Sequence, residues 1–362
     1  MRLQQLDFLR GIAILLVLFF HLKFIHYFNV VGWMGVDLFF VLSGYLISTL
    51  IFKELQTFGN FKPKLFLIRR GFKLYPCFYL FLLITIIIRL LYQQNVSIKY
   101  IIFEATFTRN FFGGFWVHTW SLCVEEHFYI LLSMILYFIP FTNLQETRKV
   151  NKFIVSILAL CLLLRISSYF IEFAYGESYF FNSWARRVQT FYCIDALLFG
   201  VFISYNFHFN LDQFMDIFKT VKKYFLLPAL LSIVILPYFL RSPLSDCFLK
   251  SIIYISFGII LVCFVADDKL FKKLQTWLSP FFIKLISYIG VFSYPIYLIH
   301  VLIREYIIQY IPSSDYRIVF ICYLILSILS GIALYYLVEK SFLTIREKTF
   351  PKRGELAYPN TN

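Results

Sequence analysis

Charge is scarce in this chain. Only 15% of its 362 residues are Asp, Glu, Lys or Arg, where an ordinary soluble domain has about a quarter. A hydrophobic fraction of 60% and a mean hydropathy of +0.75 likewise exclude a soluble globule. No two of the seven cysteines form a Cys-x-x-Cys pair. Most of Cys77, Cys123, Cys161, Cys193, Cys247, Cys263 and Cys322 fall in apolar runs. They read as small buried hydrophobes, so neither a disulfide framework nor a zinc set is expected, and no other metal site is expected. No small-residue cleavage site follows the apolar stretch 11–20, which is expected to stay as the first membrane helix. Internal repeats, low-complexity tracts and nucleic-acid-binding motifs are also missing, so the net charge of +14 does not point to DNA or RNA.

In their place stands a series of apolar runs of about 18 or more residues, each long enough to cross a ~30 Å hydrocarbon core as a helix. Ten spans are expected, at 8–27, 36–52, 74–92, 120–139, 153–171, 190–206, 224–240, 249–266, 285–310 and 317–338. The short alternating strands of a barrel are absent, so the fold class is all-α, a polytopic membrane helix bundle. Residues 1–343 are expected to form the membrane domain and 344–362 a short polar tail. The gaps 53–73 and 93–119 read as loops, and the chain after 339 as poorly ordered.

Lysine and arginine set the orientation. With the N-terminus in the cytoplasm, 23 of the 34 basic residues fall on the cytoplasmic side and 10 outside, with Arg165 left within a span. Both termini are therefore expected in the cytoplasm, and the charge excess is mainly a topology signal.

Ionisable residues within spans are costly and stand as functional candidates. Arg10 and His21 are eleven residues apart, about three turns, so they share a helix face about 16 Å apart along its axis. Arg10 falls at the cytoplasmic edge and His21 in the outer half. Asp37, at the outer start of the second span, matches His21 in depth, and a carboxylate there could hold the imidazole. Neighbouring Ser43 and Gly44 read as close-packing residues. Glu125 and Glu126 lie roughly 8 Å below the outer surface and point about 100° apart, so at most one is expected to face a site with His21. Arg69, Arg70 and Lys73 form a basic cluster on the cytoplasmic side, where arginine forks suit phosphate groups. Arg165 requires a partner, for which Asp195 is the favoured choice. His300 reads equally as a packing or a catalytic histidine, and Pro295 should kink its helix.

These segments together resemble the acyltransferase-3 family of integral membrane O-acyltransferases. The resemblance rests on Arg10-x10-His21, the run Gly35-Val36-Asp37-Leu38-Phe39-Phe40-Val41-Leu42-Ser43-Gly44-Tyr45, the stretch Arg69-Arg70 to Tyr75-Pro76, the block Trp120-Ser121-Leu122-Cys123-Val124-Glu125-Glu126, and Tyr294-Pro295-Ile296-Tyr297-Leu298-Ile299-His300. It covers residues 4–343 in order. His127 stands where the family usually has glutamine, Cys123 where serine is common, and Ser341 where the closing motif has proline. The resemblance implies transfer of an acyl group, usually acetyl, from cytoplasmic acyl-CoA (acetyl-CoA) to a hydroxyl of a cell-surface or lipid-linked sugar such as O-antigen or exopolysaccharide. It implies a place in the bacterial inner membrane. On that basis His21, Asp37, Glu125 and Glu126 are the candidate catalytic set, and Arg10, Arg69, Arg70 and Lys73 the candidate coenzyme A set. Some relatives carry an extra-cytoplasmic esterase-like domain; none is expected after the tenth span here, so either a partner protein for acceptor handling or an acceptor the chain holds alone is expected. The other readings are a transporter or flippase of lipid-linked saccharides, an O-succinyltransferase, and a membrane scaffold.

Overall fold

The computed structural model describes residues 3–22, 26–139, 141–176, 182–240, 242–310 and 316–353. Among them there is no strand, and eight helices are long and apolar enough to cross a membrane. They are Gln4–Leu22, Met34–Phe58, Pro63–Leu91, Val117–Phe138, Thr147–Tyr175, Ser183–Phe209, Pro243–Ala266 and Arg317–Thr349. Two further pairs, Leu211–Tyr224 with Leu226–Phe239 and Pro280–Val291 with Ser293–Gln309, qualify only when taken together, because each is broken. Counting each pair as one span gives the ten expected. Residues 23–25, the cations Lys23 and Arg241, and the tail from 354 lie outside the described residues.

Lipid-facing surfaces are plain. Leu83, Ile87 and Leu90, then Leu160, Leu163 and Leu164, then Ile321, Ile325 and Leu329 are exposed at helical spacing. Such stripes on an isolated chain are a surface meant for hydrocarbon. The interior is held by close helix contacts, since lipid tails leave no hydrophobic drive between spans. Met34–Phe58 packs most extensively on Thr190–Phe209. A Cβ on Gly44 would stand 1.9 Å from the Leu197 carbonyl oxygen, and one on Gly200 2.2 Å from that of Val41. No other residue allows that approach.

Arg165 and Asp195 meet as expected, at 2.6 Å, with both side chains fully buried. The guanidinium also donates to the carbonyls of Tyr192 and Cys247 and to Ser251 Oγ. All seven cysteines are free, six of them buried.

Several boundaries differ from expectation. The 53–73 gap is not a loop. Met34–Phe58 runs to Gly59 in the left-handed region (φ 70°), and the next helix begins at Pro63, so the basic cluster rides on the first turns of a helix. Proline at the first helical position starts that helix without losing a needed N–H. The 93–119 segment carries short helices at Ile98–Ala105 and Arg109–Phe112. The ninth span breaks by 78° at Phe292, ahead of Pro295, which then sits in the first turn of the second helix, where its missing N–H costs nothing. The seventh span breaks as well, by 55° at Phe225. The chain after 339 continues as helix Lys340–Thr349 through a π-helical turn, Tyr335–Glu339. That helix is strapped to the bundle by Arg69 with Glu347 and by Phe72 against Phe350, which overturns the expectation of poor order there.

Candidate active site

At the end of the bundle that carries Arg10, a narrow cavity of about 80 Å³ opens between the first, second, third, fourth and ninth spans and the last one. Its polar lining includes Arg10, Arg70, Lys73, Glu125 and Glu339 with the hydroxyls of Ser43, Ser121, Tyr294 and Tyr297. The space has room for a few water molecules.

Arg10 and Arg70 reach the cavity because each lies about two turns inside its helix, on the inward face. Arg10 has Asp7 beside it at 3.7 Å. Arg70 Nη2 donates to Tyr129 Oη at 2.6 Å and stands 3.7 Å from Glu125 Oε2. Tyr129 in turn donates to Glu125 Oε2 at 3.0 Å, and Ser43 Oγ donates to Oε1 at 2.9 Å. Glu125 thus has both oxygens engaged by hydroxyls. A carboxylate so held is a fixed acceptor and a counter-charge for Arg70.

The sequence-predicted residues separate here. Arg69 and Arg70 are adjacent, so a helix turns them about 100° apart. Arg69 leaves the cavity for both carboxylate oxygens of Glu347 at 3.0 Å and for the Phe350 carbonyl. Glu126 diverges from Glu125 in the same way and accepts from Tyr75 Oη at 2.8 Å. Asp37 is buried in a different cluster, where Lys250, Asp195 and Arg165 act on it. Lys250 Nζ donates there to Cys193 Sγ at 2.8 Å. The structure therefore does not set Asp37 as the carboxylate that holds His21, because the Asp37 side of its helix faces the Thr190–Phe209 and Pro243–Ala266 helices.

His21, eleven residues after Arg10 on the helix Gln4–Leu22, is not a lining residue of this cavity. Its Nδ1 is 3.0 Å from the Val17 carbonyl oxygen and 3.3 Å from His300 Nε2. The ring of His118 lies 5.0 Å from that of His300, centroid to centroid. Tyr297 lines the cavity, and its ring stands 5.5 Å from those of His118 and His300. Its hydroxyl contacts Ser121 Oγ at 2.6 Å and the His118 carbonyl oxygen at 2.7 Å.

Sequence reasoning gave no role to Tyr297, Tyr129, His118 or Glu339, although Tyr297 and Glu339 fall within motifs of the resemblance. Tyr129 is a buried aromatic like many others, and only its position four residues after Glu125 on a helix hints at a bond. Glu339 is aimed inward by the π-helical turn, a distortion frequent at functional sites. Ser43, read as a packing residue, lines the cavity instead.

A Staphylococcus aureus (strain COL) protein provisionally named an O-acetyltransferase is 34% identical over 218 residues, 55% of this chain and 34% of that protein. The peptidoglycan O-acetyltransferase of Listeria monocytogenes serovar 1/2a (strain ATCC BAA-679 / EGD-e) is 28% identical over 145 residues, 35% of this chain and 23% of its own. A Bacillus subtilis (strain 168) protein provisionally named a peptidoglycan O-acetyltransferase is 29% identical over 174 residues, 43% of this chain and 27% of that one. The matched stretch thus spans about a third or less of the length of these relatives. No solved structure matches the chain. The acyltransferase-domain profile of the acyltransferase-3 family matches residues 3–336, nearly all of the described bundle, and the chain belongs to that family of membrane acyltransferases.

Proposed function

We propose that this protein moves an acyl group, acetyl in the first instance, from acyl-CoA on the Arg10 side of the membrane to a sugar hydroxyl on the His21 side. The membrane is read as a bacterial cytoplasmic membrane, with the Arg10 side facing the cytoplasm by the lysine and arginine count. The observation that carries this reading is a cavity lined by Arg10, Arg70 and Lys73 and also by Ser121 and Tyr297, the ring of Tyr297 standing 5.5 Å from that of His300. Three cations lining it suit the phosphates of coenzyme A. A slot this narrow suits the acyl end of an extended arm and leaves the nucleotide at the entrance.

In this reading the sugar hydroxyl attacks the thioester carbonyl. Its proton passes to His21 Nε2, acting as general base. The new C–O bond forms as the C–S bond breaks, and the leaving thiolate recovers a proton from His21. Ser121 and Tyr297 line the cavity, and either hydroxyl, turned from its present partner, would give a developing oxyanion a donor. The acceptor class is a cell-surface saccharide, to which the peptidoglycan named for two relatives belongs. A succinyl donor would use the same machinery.

The test compares purified wild type with His21→Ala and His21→Gln at equal amounts, reading CoA release with acyl-CoA and a saccharide acceptor. A general base contributes ~10²–10⁴-fold, so His21→Ala should lose about that much with donor binding kept. Gln should not restore it, since an amide bonds but does not take the proton. Wild-type-like turnover by His21→Gln would refute the base assignment.

A further inference from the structure

Three histidines from three elements, His21 at the end of Gln4–Leu22, His118 in the turn Val117–Thr119 and His300 in Ser293–Tyr310, meet beyond the cavity. A neutral imidazole has one N–H and one lone pair, so its neighbours reveal its tautomer. The Tyr297 carbonyl oxygen lies 2.6 Å from His300 Nδ1. A carbonyl only accepts, so His300 carries its proton on Nδ1 and a lone pair on Nε2. The same logic applies to His21, whose Nδ1 faces the Val17 carbonyl oxygen at 3.0 Å. Its proton is also on Nδ1, and Nε2 bears the lone pair. The remaining contact, 3.3 Å between His21 Nδ1 and His300 Nε2, then has one consistent direction. His21 donates to both Val17 and His300 in a three-centre bond. Any other pair of neutral tautomers sets a lone pair against a carbonyl oxygen.

We propose that His300 is the positioning residue of the site, accepting from His21 Nδ1–H so that His21 presents Nε2 to the acceptor hydroxyl. This rests on the reading of His21 as general base. A carboxylate usually fills such a role. The carboxylates nearest in sequence expectation are engaged elsewhere: Glu125 by Ser43 and Tyr129, Glu126 by Tyr75, and Asp37 in the Lys250 cluster. A neutral imidazole does the orienting without adding a buried charge. When His21 takes the proton at Nε2, its Nδ1–H bond to His300 becomes charge-assisted and strengthens. His300 itself is fully buried, so its ring is fixed by packing as well as by Tyr297.

The experiment measures kcat and donor KM for His300→Leu and His300→Gln, with His21→Ala as reference. The Gln amide oxygen falls near the former Nε2 and accepts from His21. His300→Leu should lower kcat about 10- to 100-fold, the scale seen for hydrogen-bond partners that orient metal-bound histidines, with donor KM unchanged. His300→Gln should recover to within a few-fold of wild type. Leu at the wild-type rate, or Gln as poor as Leu, would overturn the positioning role while leaving His21 in place. A wild-type rate for His21→Ala would instead overturn the base reading beneath it. Should His300→Leu fail to fold, ¹⁵N-histidine NMR of the wild-type protein decides. His21 and His300 should both show the Nδ1–H tautomer, and a proton on His21 Nε2 would overturn the proposal.

Discussion

Arg69 and Arg70 are neighbours in sequence with opposite fates in the fold, and replacing each in turn separates their roles. Arg70 lines the cavity, with its guanidinium 4.4 Å above the Tyr129 ring and bonded to that hydroxyl. Arg69 spends its fork on Glu347. If Arg70 meets a donor phosphate, Arg70→Ala removes a charge-assisted hydrogen bond worth about 1.5–3 kcal/mol. At about 1.4 kcal/mol per decade, that raises the KM for acyl-CoA by about 10- to 150-fold. Glu125 also loses its counter-charge, so kcat should fall somewhat as well. Arg69→Ala breaks an ion pair whose Glu347 side chain is 41% exposed, which costs stability only about 0–1 kcal/mol and leaves donor KM unchanged. The assay is CoA release against acyl-CoA concentration, with insertion checked by protein abundance in membranes. Equal rises in KM for the two variants would refute the separation and return Arg69 to the donor site.

Breaking the Arg165–Asp195 pair should be costly. Asp195→Leu leaves a buried guanidinium with three neutral partners and should cost about 3–5 kcal/mol, while the double substitution Arg165→Met with Asp195→Leu should cost less. Thermal unfolding in detergent checks the order, and a double variant worse than the single one would contradict it. On the loop between the third and fourth spans, burial raises the Glu104 carboxyl above its ordinary range despite Arg109 at 4.0 Å. A raised folded-state value means its contribution is complete below the unfolded value and is lost as pH rises through the folded one. Wild type should therefore lose Tm relative to Glu104→Gln as pH rises from the acid side, and a gain with rising pH would refute the assignment.

Much of this was legible in one dimension. The apolar runs fixed an all-helical membrane bundle, because a backbone in hydrocarbon must satisfy its own hydrogen bonds, and run length alone counts the spans. The cost of burying charge singled out Arg10, His21 and Arg165, a basic cluster suited to phosphates singled out Arg70, and three-turn spacing placed Arg10 and His21 on one face. Periodicity is local, however, and says nothing of which face meets which neighbour. Only the packed bundle decided that Asp37 turns to Lys250 instead of His21, that Arg69 is taken by Glu347, and that Glu125 enters the cavity while Glu126 does not. A single residue step rotates a side chain by about 100°, so adjacent identical residues part company once a helix is seated. The break at Phe292 and the π-helical turn before Lys340 depend on contacts between distant segments. So does the meeting of His300 with His21 across 279 positions of chain, which no local pattern encodes.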